Sequence, residues 1–355
     1  MSYKLNQKIE DLTPYSPISG EFQIRLDANE STYKINDEIL SLILEKISTT
    51  EINRYPDPFA LKLCKSFASY YLIDEKLVTA GNGSDELIGL IIGSFLCAGE
   101  KMLTFSHDFS MYKFYGELFG MKNIVYQKDE DLNVDIDEVI KLSNKEKVSL
   151  IIFSNPCNPT SLGIKKADII KLLTSSNSLV VLDEAYMDFF DQSLIGEVSN
   201  FENLIILRTS SKAIGLAGAR LGFAVSNLRL TKVLKAVKSP YNVNAISQGI
   251  GEVVFAQKDY LDAQITKIIK NRSALIDGLS DLKSRYNWCD KIFLSKTNFA
   301  FIKTSYAQQI FSELAKMQIA VRNMGEYLRI STGTELENTV LLTKLETIVS
   351  EIHKN

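Results

Sequence analysis

Between residues 76 and 225 the chain alternates short, β-branched apolar runs with stretches of helical spacing, and no other feature restricts its fold as much. The runs are 76–80, 101–105, 123–126, 148–154, 179–182, 204–207 and 222–225. Several are apolar on both faces, as strands covered from two sides are. Leu87, Ile88, Ile91, Ile92 and Phe95 recur with helical spacing between two of them. The predicted class is α/β, with a mostly parallel sheet.

Beyond Ser239-Pro240 the texture changes. A charged amphipathic stretch at 257–282 predicts a long helix, followed by a strand at 298–303, a helix at 307–317, strands near 319–322 and 327–331, and a closing helix at 336–353. This is the pattern of a smaller α+β unit. The expected division is a large unit at 30–240, and a small one built from 1–29 and 241–355.

Several function classes are excluded early. The net charge of -3 offers no basic field for nucleic acid or an anionic membrane. The longest nearly apolar run, residues 87–99, is 13 residues long and interrupted by Gly89, Gly93 and Ser94. A membrane span needs roughly 20. The opening residues lack an apolar signal core, so a cytoplasmic protein is expected. Cys64, Cys97, Cys157 and Cys289 lie far apart, and the only histidines are His107 and His353, which argues against disulfides and against a bound metal. No G-x-S-x-G or G-K-[S/T] occurs, and Gly81-Asn82-Gly83 is followed by Glu86 where a dinucleotide fingerprint needs glycine.

Four segments carry chemistry. The first, residues 209–220, follows an apolar run and sets Lys212 among the hydroxyls of Thr209 and Ser211, two glycines and Arg220. Hydroxyls and a guanidinium suit a phosphate, beside which Lys212 is either a counter-ion or a nucleophile. The second places Asp183 and Tyr186 at the end of an apolar run, where ligands of open α/β sheets gather. The third presents Asn158 on a proline-stiffened loop, and the fourth, 81–85, opens a helix whose first N–H groups favour an anion.

Together these segments resemble the fold type I pyridoxal-phosphate aminotransferases, and within them the histidinol-phosphate branch, over nearly the whole chain. Other pieces similar to the family are Leu12-Thr13-Pro14-Tyr15, Leu26-Asp27-Ala28-Asn29-Glu30, Arg54-Tyr55-Pro56, Phe109-Ser110-Met111-Tyr112, Val321-Arg322 and Leu328-Arg329. The resemblance implies that Lys212 carries pyridoxal 5'-phosphate covalently and moves the proton, and that Asp183 faces the ring nitrogen. It implies Tyr186 and Asn158 on the ring oxygen, Phe109 stacked on the ring, and Ser84, Asp85, Thr209, Ser211 and Arg220 around the phosphate. It further implies Tyr15, Asn29, Arg322 and Arg329 at the substrate, and a homodimer in which Tyr55 reaches the neighbouring subunit's phosphate. The implied reaction, a step of histidine biosynthesis, exchanges an amino group between histidinol phosphate and 2-oxoglutarate, giving imidazole-acetol phosphate and glutamate. An aromatic or broad-range aminotransferase and a threonine-phosphate decarboxylase share these cofactor residues. A binding module that kept only the fold is the rival from another class, and the intact Lys212, Asp183 and Arg220 argue against it. The sequence departs from the family in placing Ser106-His107-Asp108 before Phe109 where a Pro-Thr pair is usual, and Cys157 where Asn is common.

Overall fold

Along the strand Leu179–Asp183, Val180 and Leu182 enter one apolar core while Val181 enters another. Leu150–Ser154 repeats the division, with Ile151 and Phe153 on one side and Leu150 and Ile152 on the other. Successive side chains of a strand point to opposite faces, so a run apolar at every position needs a cover on each. The computed structural model, which describes residues 3–10, 12–14 and 18–354, supplies both covers. Helices Leu61–Tyr71, Ile136–Glu146 and Lys166–Ser175 close one face, while Ser84–Phe95, Met111–Leu118 and Leu228–Val237 close the other.

The central sheet has seven strands in the spatial order Val78–Gly81, Gly222–Ser226, Leu204–Thr209, Leu179–Asp183, Leu150–Ser154, Lys101–Phe105 and Lys122–Tyr126. Gly222–Ser226 runs antiparallel to both neighbours, and the other pairings are parallel. All seven coincide with predicted runs to within a few residues. Parallel register brings Ser154 opposite Asp183, and Asp183 opposite Leu207, so three strands deliver their chemistry at one edge of the sheet.

A second, four-stranded sheet contains Arg322–Asn323, Tyr327–Ser331, Phe299–Lys303 and Lys291–Ile292. Its core includes Leu328, Ile330, Leu341 and Leu345. The strand Ile24–Arg25 pairs in parallel with Ile319–Ala320, and Leu26 is buried in the same core. Helices Asp37–Ser48 and Ala245–Phe255 were not predicted; they pack together against the large core. The long helix Lys258–Tyr286 belongs to both units, with Leu261 in the large core and Leu275, Leu279 and Leu282 in the small one. We therefore propose that the units divide within this helix rather than at residue 240, because Val243, Val254 and Phe255 also pack with the large sheet. Among the described residues, no helix is long and apolar enough to cross a membrane.

Candidate active site

The strand Leu179–Asp183 ends on a carboxyl that is almost fully buried. Among the described residues its hydrogen-bond donors are Tyr112 Oη at 2.7 Å and Ala185 N at 3.0 Å. Burial pushes the Asp183 carboxyl up to about 7, with Asp108 and Asp85 adding to the shift and those two donors opposing it. A cationic ring nitrogen beside such a group would relieve its desolvation and be held strongly in return.

Asp183 opens on a cavity of about 310 Å³ that Lys212, Asn158, Tyr186, Phe109 and Tyr112 also line. Lys212 Nζ donates to Ala28 O at 3.0 Å and stands 5.9 Å from the centre of the Tyr186 ring. Two neighbouring bonds orient polar side chains. The Asn158 Oδ1 accepts from Arg329 at 2.6 Å, and a guanidinium has only donors, so the Asn158 Nδ2 is the group left to donate elsewhere. Tyr186 Oη accepts from Asn29 Nδ2 at 2.9 Å, which leaves its own hydrogen available in the same way. The two side chains thus suit an anionic oxygen on a ring.

Ser84, Asp85, Thr209, Ser211 and Arg220 line the same cavity and make a cradle for an anion. Helix Ser84–Phe95 starts after Gly83, which has φ +84° and gives the first turn no side-chain cap. A Cβ on Gly222 would lie 2.3 Å from Ser84 N, so only glycine lets the sheet approach this helix start so closely. Arg220 reaches Asp85 Oδ2 at 3.4 Å and Ser211 Oγ at 3.5 Å. These long contacts leave the guanidinium, nearly half exposed, able to meet a phosphate.

An adjoining cavity of about 270 Å³ is shared by Lys212, Asn158 and Tyr186 with Asn29, Arg322 and Arg329. Arg322 and Arg329 are direct partners across antiparallel strands. Like charges so placed repel unless an anion joins them. Of the remaining expected residues, Tyr55 lines neither cavity; it is 81% exposed and its ring stacks on Tyr241 at 4.5 Å. Tyr15 lies outside the described residues.

The sequence matches the profile of the family described as aminotransferase class I and II across residues 21–345. The chain belongs to this aminotransferase family. Among curated relatives, a histidinol-phosphate aminotransferase of Clostridium novyi (strain NT) is 41% identical over 335 residues, 93% of each chain. Another, from Thermoanaerobacter sp. (strain X514), is 35% identical over 97% of this aminotransferase and 98% of that protein. The solved histidinol-phosphate aminotransferase of Sinorhizobium meliloti, in complex with pyridoxal-5'-phosphate, superposes with a TM-score of 0.87 at 22% identity, covering 98% of both chains; at that identity the likeness establishes the fold.

Sequence reasoning gave the aminotransferase's Tyr112 no role. Its signal was an aromatic three residues after Phe109, one helical turn on, where the hydroxyl reaches Asp183. Ser154 and Asp108 were missed too, since their bond joins residues 46 apart in sequence.

Proposed function

We propose that this aminotransferase uses pyridoxal 5'-phosphate to exchange an amino group between histidinol phosphate and 2-oxoglutarate, giving imidazole-acetol phosphate and glutamate. The observation that carries the reading is one cavity lined by a lysine amine, a buried carboxyl and a cradle for an anion, in a chain 41% identical to a histidinol-phosphate aminotransferase. When bound, the coenzyme supplies a carbonyl carbon that takes up the amino group and an aromatic system that accepts electrons. Lys212 Nζ holds the coenzyme and then moves the proton. Asp183 keeps a proton on the ring nitrogen, which its raised affinity for positive charge favours. Asn158 Nδ2 and the Tyr186 hydroxyl donate to the ring oxygen, and Phe109 covers the ring. Ser84 and Asp85 N–H groups, Thr209, Ser211 and Arg220 hold the coenzyme phosphate.

Arg322 and Arg329, with Asn29, take the substrate's anion. Histidinol phosphate brings a phosphate there and 2-oxoglutarate a carboxylate, so one pair of arginines serves both reactants. We further read the enzyme as a homodimer with shared sites. Ile52, Tyr55 and Leu61 are 76%, 81% and 58% exposed, an apolar surface suited to a second copy that Tyr55 would enter. Cytoplasmic residence completes the proposal, supported by four cysteines that are all free.

The test is a comparison of amino donors. Purified holoenzyme should transfer nitrogen from histidinol phosphate to 2-oxoglutarate far faster than from phenylalanine, and release no carbon dioxide from threonine phosphate. Preference for phenylalanine would make it an aromatic aminotransferase, and carbon dioxide release would make it a decarboxylase.

A further inference from the structure

Asp108 sits on the turn after strand Lys101–Phe105, immediately before Phe109, and its carboxylate faces the end of strand Leu150–Ser154. Oδ1 accepts from Phe109 N at 2.7 Å and from Ser154 Oγ, while Oδ2 accepts from Ser154 N at 3.2 Å. Ser154 Oγ in turn accepts from Asn158 N at 3.1 Å. One carboxylate therefore fastens the segment carrying Phe109 to the segment carrying Asn158. Three donors converge on it, and only a carboxylate offers two acceptor oxygens and no donor.

A second strap runs beside the first. His107 has φ +48°, and its carbonyl accepts from Lys128 Nζ at 3.1 Å and from the Cys157 thiol at 3.3 Å. The turn is thus held to the segment carrying Asn158 at His107 as well as at Asp108. Ser106-His107-Asp108 and Cys157, two of the places where this chain leaves the family pattern, meet in these straps.

We propose that Asp108 is a positioning residue, which through Ser154 sets the Asn158 amide and the Phe109 ring against the coenzyme. The proposal rests on the coenzyme reading above. Were Asp108 only a turn cap, the Phe109 N–H bond alone would suffice, and its loss would lower stability without altering the coenzyme's surroundings.

The experiment compares parent, Asp108→Ala, Asp108→Asn and Ser154→Ala. It measures the pyridoxal 5'-phosphate dissociation constant, the visible circular dichroism of the bound coenzyme, and kcat and KM for histidinol phosphate. Asp108→Ala should raise the coenzyme dissociation constant about tenfold or more, because hydrogen bonds to a charged group are lost. It should also reduce the dichroism and lower kcat more than it changes KM. Asp108→Asn keeps an acceptor for the Ser154 hydroxyl and should recover part of each loss. Adding Ser154→Ala to Asp108→Ala should cost little more, since the two act as one unit. Parent-like dichroism and coenzyme affinity in Asp108→Ala, with only thermal stability lowered, would overturn the proposal. If that variant fails to fold, unchanged values in both Asp108→Asn and Ser154→Ala overturn it equally. A parent that takes up no coenzyme defeats the coenzyme reading and this proposal together, whereas normal binding by parent and variants alike defeats this one alone.

Discussion

Asp183 meets two demands that its surroundings set against each other. Burial lifts its carboxyl from the ordinary 3.8 to about 7, so the coenzyme-free protein keeps a proton that the unfolded chain releases near pH 4. The sign follows directly: the stability this group contributes is complete below about pH 4 and is lost as pH rises towards 7. The full span is worth roughly 4 kcal/mol at 1.36 kcal/mol per unit. Urea unfolding of the coenzyme-free Asp183→Asn variant should therefore show a shallower decline between about pH 4 and pH 7 than the parent. Identical slopes would mean that the carboxyl is not desolvated as described.

Arg329 also works in two directions, because it binds Asn158 at 2.6 Å and Asp27 O at 2.7 Å while lining the cavity with Arg322. Charge-assisted hydrogen bonds are worth about 1.5–3 kcal/mol each. Arg329→Ala should accordingly lower kcat/KM for histidinol phosphate by about 10- to 100-fold. It should also weaken coenzyme binding several-fold, because the Asn158 amide loses its fixed orientation. Arg322→Ala should lower kcat/KM and leave the coenzyme dissociation constant alone. Equal coenzyme loss in both variants would contradict this division of work.

At the scale of elements, the strands were legible because their runs are apolar at nearly every position and bounded by turn residues. Helix Asp37–Ser48 was not, because Leu40, Leu42 and Leu44 lie exposed on both flanks of the buried Ile39 and Ile43 and blur the stripe. Its partner Ala245–Phe255 hid in a similar way, with only Gly251 permitting the close fit of Leu63 and Leu221. The site was legible where it follows strand ends, as at Asp183 and Lys212. It was opaque at Ser154 and Tyr112, whose bonds arise only once parallel register and helix packing bring distant segments together. Asn244 caps Ala245–Phe255 by accepting from Ser247 N at 2.8 Å. Asn244→Ala should destabilise the protein by about 1 kcal/mol in denaturant unfolding. A neutral result would show that packing alone holds this end.

For the whole molecule, the proposed sharing of sites between two subunits makes a prediction about mixtures. Tyr55→Phe and Lys212→Ala subunits should each be poorly active at limiting coenzyme. A heterodimer would hold one site with both lesions and one with neither, so activity should return on mixing. Confirmed heterodimers without recovered activity would place Tyr55 outside the partner's site.

The pairing of Ile24–Arg25 with Ile319–Ala320 bears on how the enzyme is made. Asn29 N donates to Ser331 Oγ at 2.9 Å, a bond joining residues 302 positions apart. A ribosome delivers the first of these partners long before the second. The segment that presents Asn29 to Tyr186, and Ala28 to Lys212, thus has no strand partner until residues 319 and 320 are made. Every strand of the large sheet precedes residues 319 and 331 in the chain, so the edge that carries Asp183 can take shape first and gains Asn29 and Ala28 only afterwards. Products terminated before residue 319 would carry Lys212 and Asp183 without the strand that anchors Asn29 beside them.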